Sequence, residues 1–221
     1  MKLYDAMGPH PRVVRMVCAE KGLTLPAAVV SLGAGDAIRA PHLVRNPLGQ
    51  VPVLTLDTGQ HLSETLAICE YLEERAPTPP LLGTTAPDRA EARMWVQRVQ
   101  LNISQPLYVG WRQGLMTVPL YRSRGPVAMP PGSGAILSHI ARAHLDWLEQ
   151  EMGDRDFLCG DRFTLGDILL YCFLAFAEEV GQLPDPARRN LRAWFDRIAA
   201  RPAAIASATV DPDPQAISSA V

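Results

Sequence analysis

Apolar positions along the first third of this chain fall in short clusters separated by turn residues, with two helix-like stretches among them. Residues 2–4 form a strand candidate. Residues 11–21 predict a helix: Pro11 suits a first turn, Val13, Val14, Met16 and Val17 make the apolar stripe, and Gly22 ends it. Residues 27–32 read as a second strand, and 33–45 as a mixed, loop-like stretch with room for one helical turn. Residues 53–56 and 60–62, joined by Asp57-Thr-Gly59, predict an antiparallel hairpin. Residues 64–75 return to helical period, with Leu66, Ala67, Ile68, Tyr71 and Leu72 on the buried side. The predicted order is βαβ followed by ββα, an α/β unit.

Strand signals stop at 76–81, where prolines end the helix and stiffen the connection. Residues 85–113 predict a long helix with Asp88 and Glu91 near its start and a kink at Pro106. Residues 123–134, rich in Gly and Pro, read as a loop, and 136–152 as a helix aligning Ile140, His144, Leu145 and Leu148. Thr164-Leu-Gly-Asp167 has capping-box spacing with Asp in place of Glu, and Phe163 and Ile168 stand at hydrophobic-staple spacing. The helix behind them, 168–176, is apolar on nearly all faces and so is expected to be buried, which makes Asp167 structural. Residues 191–200 predict a last helix ended by Pro202. From Asp211 onward the chain is small and polar, and disorder is expected. The division is an α/β domain over 1–76, a linker over 77–84, an all-α domain over 85–205 and a disordered tail over 206–221.

Composition narrows the function classes. The 221 residues are 48% apolar, with a net charge of −2. That charge offers no electrostatic footprint for nucleic acid or an anionic membrane. No uninterrupted apolar run reaches the ~18 residues of a membrane span. Residues 1–5 lack the apolar run of a signal peptide, so a cytoplasmic location is expected. The four cysteines, Cys18, Cys69, Cys159 and Cys172, form no Cys-x-x-Cys pair and no zinc spacing. No metal is expected. All but Cys159 lie in apolar helical runs as core thiols; Cys159 sits in a turn and could be more reactive, but nothing nearby argues a lowered pKa.

Two segments carry the chemistry: Asn46-Pro-Leu-Gly-Gln-Val-Pro-Val-Leu54 and Leu62-Ser-Glu-Thr-Leu-Ala-Ile68. Pro52 cannot donate to a sheet ladder and belongs at the first residue of a strand. A cis Val51–Pro52 bond would turn the Val51 N–H and C=O into a cleft, where they could pair with a peptide-like molecule in strand fashion. Glu64 and Thr65 would stand nearby at a helix N-terminus, which suits a carboxylate. The plain alternative is an ordinary helix start with Ser63 as N-cap.

These segments, together with Phe157-Leu-Cys-Gly-Asp-Arg-Phe-Thr-Leu-Gly-Asp-Ile168, resemble the soluble glutathione transferases, in a bacterial-like form. The resemblance implies a thioredoxin-like N-terminal domain packed on an all-helical C-terminal domain, a homodimer, and glutathione as co-substrate. It implies that Glu64 binds the γ-glutamyl ammonium and Thr65 the carboxylate. The Val51-Pro52 backbone then pairs with the cysteinyl part, and Gln50 reaches the glycyl carboxylate. Arg39 and His42 lie in a loop that could close over the glycyl end. Tyr108, Trp111 and Arg112 would line the electrophile pocket.

The activating group departs from the family's pattern. Where many members carry Ser-Pro-x-x-Arg-x-Val, this chain has Gly8-Pro-His-Pro-Arg-Val-Val14. Gly8 has no hydroxyl to lower the thiol's pKa. Tyr4 falls where other members carry a catalytic tyrosine, although it could equally be a packing residue. His10, before Pro11 and so expected in an extended turn, could donate to the thiolate or pair with it when protonated. The free N–H groups of Arg12 and Val13 at the helix start are a third source. The expected function is detoxifying conjugation of glutathione to a small hydrophobic electrophile. The alternatives are a glutathione-dependent isomerase, lyase or dehalogenase, or a binding module with little turnover. The Ser-Ser-x-x-x-Trp-Arg signature of the maleylacetoacetate isomerase branch is absent.

Overall fold

The structure, a computed structural model, describes residues 1–114, 129–182, 185 and 187–210. Strand β1 (Lys2–Asp5) pairs parallel with β2 (Ala27–Val29), Leu3 opposite Ala27, because helix α1 (Pro9–Glu20) carries the chain back between them. On its other side β1 pairs antiparallel with β3 (Val53–Thr55), which pairs antiparallel with β4 (His61–Leu62). The sheet order is β2-β1-β3-β4. Helix α3 (Thr65–Arg75) follows, completing the thioredoxin-like unit.

Two elements depart from the sequence reading. Strand β2 stops at Val29, short of residue 32, because Asp36 draws the chain into a turn. Its carboxylate accepts the Ser31 N–H (3.2 Å), and its own N–H donates to the Ser31 carbonyl (3.1 Å). The stretch 33–45 then holds a 3-10 turn, Asp36–Ile38, and a short helix α2 (His42–Arg45). The connection after α3 is pinned at both ends. The Lys21 ammonium donates to the carbonyls of Ala76 (2.7 Å) and Pro79 (2.9 Å), while the Glu73 carboxylate accepts the N–H groups of Leu81 and Leu82.

Helix α4 (Ala86–Val99) opens on a complete Thr85/Asp88 capping box. The expected bend at Pro106 takes the form of a π turn over Gln100–Ser104, just before α5 (Gln105–Gly114). Pro106 has no N–H for the carbonyl four residues back, and a widened turn lets that ladder shift its register. Helix α6 (Ser133–Met152) starts earlier than expected; the expected loop over 123–128 lies outside the described residues. Gly110 and Gly134 let α5 and α6 touch. A Cβ on Gly110 would stand 3.0 Å from the Gly134 carbonyl oxygen, and one on Gly134 would stand 2.9 Å from that of Gly110.

Helix α7 (Leu165–Glu179) is buried along nearly its whole length, as its apolar run requires. Its anchor is Asp167, fully buried, which accepts four hydrogen bonds: from the N–H (2.9 Å) and hydroxyl (3.1 Å) of Thr164, the Leu158 N–H (2.9 Å) and the Trp194 indole N–H (3.0 Å). The capping box thereby also ties in the preceding loop and helix α8 (Arg189–Ala199). Pro202 opens a further short helix, α9 (Pro202–Ala206), and the buried Ser207 accepts a bond from Arg15 (3.0 Å). The tail expected from 206 is thus anchored at Ser207 while its neighbours are exposed; the part over 211–221 lies outside the described residues.

The two halves meet where α1 packs on α7 and α9. Buried Arg12 lies 5.3 Å over the Tyr171 ring and donates to the Tyr171 hydroxyl (3.3 Å) and the Ala204 carbonyl (3.5 Å). Arg201 grips both oxygens of Glu20 (2.7 and 2.9 Å).

All four cysteines are buried and free. Burial pushes the thiols of Cys18 and Cys172 up to about 12, and that of Cys159 up to about 11. Cys159 is no exception despite its turn, since its Sγ lies 3.8 Å from the hydroxyl of the capping residue Thr164. An aromatic disulfide reagent should leave the native protein unlabelled over minutes and react with all four thiols in denaturant. Asp167→Ala leaves its donors stranded and should cost on the order of 4 kcal/mol in urea unfolding, with Asp167→Asn, which keeps one acceptor, losing about half as much.

Candidate active site

The first turn of α1 is Pro9-His10-Pro11. A first turn makes no use of its N–H groups, so neither proline forfeits a helical bond there. His10 is therefore helical, not extended as expected from its place before proline. The Arg12 N–H is already taken by the Gly8 carbonyl (3.2 Å), which removes it as a free anion donor. Between residues 9 and 11, only His10 carries an N–H at all.

The His10 ring is half-buried. Its Nδ1 lies 3.2 Å from the Thr65 hydroxyl, and its faces meet Tyr108 (centroids 5.2 Å apart) and Phe173 (4.9 Å) edge-on. Burial, then the nearby Arg112 charge, lowers its pKa to about 4. His10 is thus neutral near pH 7 in the free protein. It can hydrogen-bond to an anion, and in the free protein it is not the imidazolium that an ionic pairing would need.

Opposite this turn runs the segment 46–52. The Val51–Pro52 bond is cis, and Pro52 directly precedes β3. Among the described residues Val51 makes no backbone hydrogen bond. The segment is held by the Gln50 carbonyl, which accepts from His42 Nε2 (3.0 Å) and Asn46 Nδ2 (3.0 Å). Asn46 also caps the turn by accepting the Leu48 N–H (3.1 Å). Gly49 closes it at φ 62°, where a Cβ would stand 2.8 Å from the Ala37 carbonyl oxygen. His42 is 3% exposed, so it supports the segment from beneath and is not a lid over it.

Glu64 occupies the cap position of α3 at φ 69° and ψ 117°, replacing the Ser63 cap of the plain reading. A non-glycine residue at positive φ is strained, and such strain is retained where surrounding structure enforces it. Glu64 itself is exposed, whereas Thr65 behind it is buried.

These pieces enclose one cleft of about 880 Å³ including its open mouth. Gly8, His10, Gln50, Val51, Pro52, Glu64 and Thr65 line one side; Gln105, Tyr108, Val109 and Arg112 of α5 line the other. Three expected residues stay outside its lining. Tyr4 sits in β1 beneath the Arg45 guanidinium (4.1 Å). Arg39 is exposed, 3.8 Å from Asp36. Trp111 packs edge-on against Phe176 (4.7 Å). Asn46, Gln105 and Val109 line it too, though none of the three was singled out from the sequence. Gln105 precedes Tyr108 by one helical turn and so shares its face, which is the signal that could have found it.

Among the described residues no group of acidic, His and Cys side chains could hold a metal, and no helix is long and apolar enough to cross a membrane. The buried neutral His10 has a consequence for stability. Between pH 6.5 and about 4 the unfolded chain binds a proton that the folded chain does not. Stability should therefore fall as the pH falls through that window, by up to about 3 kcal/mol, and His10→Gln should remove that part of the loss in urea titrations at paired pH values.

Family comparisons agree with the geometry. The family profile "Glutathione S-transferase, N-terminal domain" matches residues 3–80, and "Glutathione S-transferase, C-terminal domain" matches 140–197. The chain is 30% identical over 210 residues to glutathione S-transferase 2 of Saccharomyces cerevisiae, covering 91% of this chain and 87% of that protein. It is 34% identical over 192 residues to a maleylacetoacetate isomerase of Pseudomonas aeruginosa, covering 86% of each. The crystal structure of Gtt2 from Saccharomyces cerevisiae superposes with a TM-score of 0.84 at 28% identity, over 94% of this chain and all of that one.

Proposed function

The chain belongs to the glutathione S-transferase family, and from that premise we infer that it is an enzyme joining the sulfur of glutathione to a small, largely apolar electrophile. The carrying observation is the cis Val51–Pro52 turn facing the Glu64-Thr65 helix start across one cleft. In this reading the Val51 backbone pairs with the cysteinyl residue of glutathione, and the Gln50 side chain takes the glycyl carboxylate. The Thr65 hydroxyl and N–H take the γ-glutamyl carboxylate, with Glu64 on the ammonium. Arg39, exposed and away from the cleft, has no part in it.

The reaction needs the thiol as thiolate. The thiol proton leaves to solvent, and the sulfur lone pair forms the carbon–sulfur bond. The leaving group departs with its bonding pair; in an addition, the adjacent carbon takes up a proton instead. Neutral His10, packed between Tyr108 and Phe173, donates one hydrogen bond to the sulfur. Tyr108 and Val109 give the electrophile an apolar wall. A glutathione-dependent isomerase is the second reading, favoured by the likeness to the Pseudomonas protein. The exposed apolar residues Met94 and Leu101 support a homodimer, and the same reading places the enzyme in the cytoplasm.

The ultraviolet difference spectrum of bound glutathione against pH tests this reading. Thiolate absorption should appear well below the pKa of the free thiol; binding as neutral thiol only would sink the transferase reading. His10→Ala should lower kcat/KM about tenfold, the worth of one hydrogen bond to a charged acceptor. Thr65→Val should weaken glutathione binding by a similar factor, read by titration.

A further inference from the structure

The cleft has no side chain at the position where the resemblance expects a hydroxyl. Gly8 lines it at φ 135°, and nothing lies within 4 Å of where a Cβ would be. The space remains open, and a serine there would be strained by its backbone. His10 is neutral, so it brings a hydrogen bond but no charge.

Charge reaches the cleft from the other domain. Among the described residues, Arg112 is the lysine or arginine that lines it. Its guanidinium lies 5.6 Å from the centroid of the Tyr108 ring, which itself lies 5.2 Å from the His10 ring. The Gly110–Gly134 contact sets α5, and with it Arg112, against α6. Among the described residues, the titratable groups facing this point are His10 from α1, Glu64 from the start of α3 and Tyr108 from α5. In the proposed binding mode Glu64 is occupied by the γ-glutamyl ammonium.

We propose that Arg112 is the thiolate-stabilising residue of this enzyme, supplying from the helical domain what Gly8 cannot supply from the N-terminal one. The electrostatic effect is reciprocal. A positive charge that opposes a proton on His10 favours a negative charge placed beside His10, and the glutathione sulfur is that charge. The thiol proton leaves to solvent; no proton passes through the guanidinium, which stays charged throughout. The inference rests on the glutathione reading of the cleft.

The test uses the full chain with Arg112→Gln and Arg112→Lys. The ultraviolet thiolate band reports the pKa of bound glutathione, and titration with S-methylglutathione reports binding of the peptide independently of the thiol. Arg112→Gln should raise the bound thiol pKa by about one unit, with about tenfold less thiolate on the acid side. Arg112→Lys should keep most of the depression, and both variants should bind S-methylglutathione within about twofold of the wild type. The acid limb of kcat/KM should move with the thiol pKa. An unchanged thiol pKa in Arg112→Gln would overturn the proposal, most plainly if KM rose only for carboxylate-bearing electrophiles. Should the Gln variant not fold, Arg112→Met, which keeps the stem's packing, carries the same measurement. If the wild type failed to bind S-methylglutathione, the glutathione reading itself would fall, an outcome distinct from an unchanged thiol pKa.

Discussion

A single buried carboxylate organises the helical domain, and through it the cleft. Asp167 collects donors from its own cap, from the loop at Leu158 and from Trp194 of α8. A buried acceptor with this many donors is tolerated only when all the geometry is right, so it fixes where α7 begins and at what angle it runs. Part of what the cleft needs from the helical side follows. Phe173, two turns along α7, backs the His10 ring, and Tyr171 meets Arg12 of α1. The N-terminal domain is thereby docked on a helix whose own position is set by one cap.

The cleft is a composite of two kinds of support. On the N-terminal side the backbone does the work: the segment at Val51 is held by His42 and Asn46, both through the Gln50 carbonyl. On the helical side the side chains do it, from a helix that approaches its neighbour at two glycines. Where the two sides meet, burial keeps His10 uncharged and leaves Arg112 as the source of positive potential. Low dielectric there strengthens any interaction with a buried anion, as it penalises an unpaired one. The absence of a hydroxyl at Gly8 is less damaging in such a field than it would be in an exposed turn.

Much of the fold was legible because it is written in local patterns. The βαβ-ββα order, the cap at Thr164 and the all-round apolar run of α7 each follow from periodicity and turn chemistry. The turn at Val51-Pro52 was legible for the same reason, since Asn46, Gly49 and Pro52 are each required by backbone geometry. The rest was decided by the surroundings of a whole turn or by a packed neighbour. His10 joined the helix because a first turn has no N–H bonds to lose. Cys159 was silenced by residues of the cap that covers it. Tyr4 was held in the sheet under Arg45, away from the cleft.

By itself, then, the sequence determined the elements, their order, the caps that end them and the turn that presents a bare backbone to the cleft. These depend on interactions within a few residues, which sequence spacing records. The tertiary structure alone decided the protonation of His10, the exclusion of Tyr4, Arg39 and Trp111 from the lining of the cleft, and the arrival of Arg112 in it. Burial and the sum of distant charges set those, and no local pattern encodes how much water a fold removes or which helix it brings across.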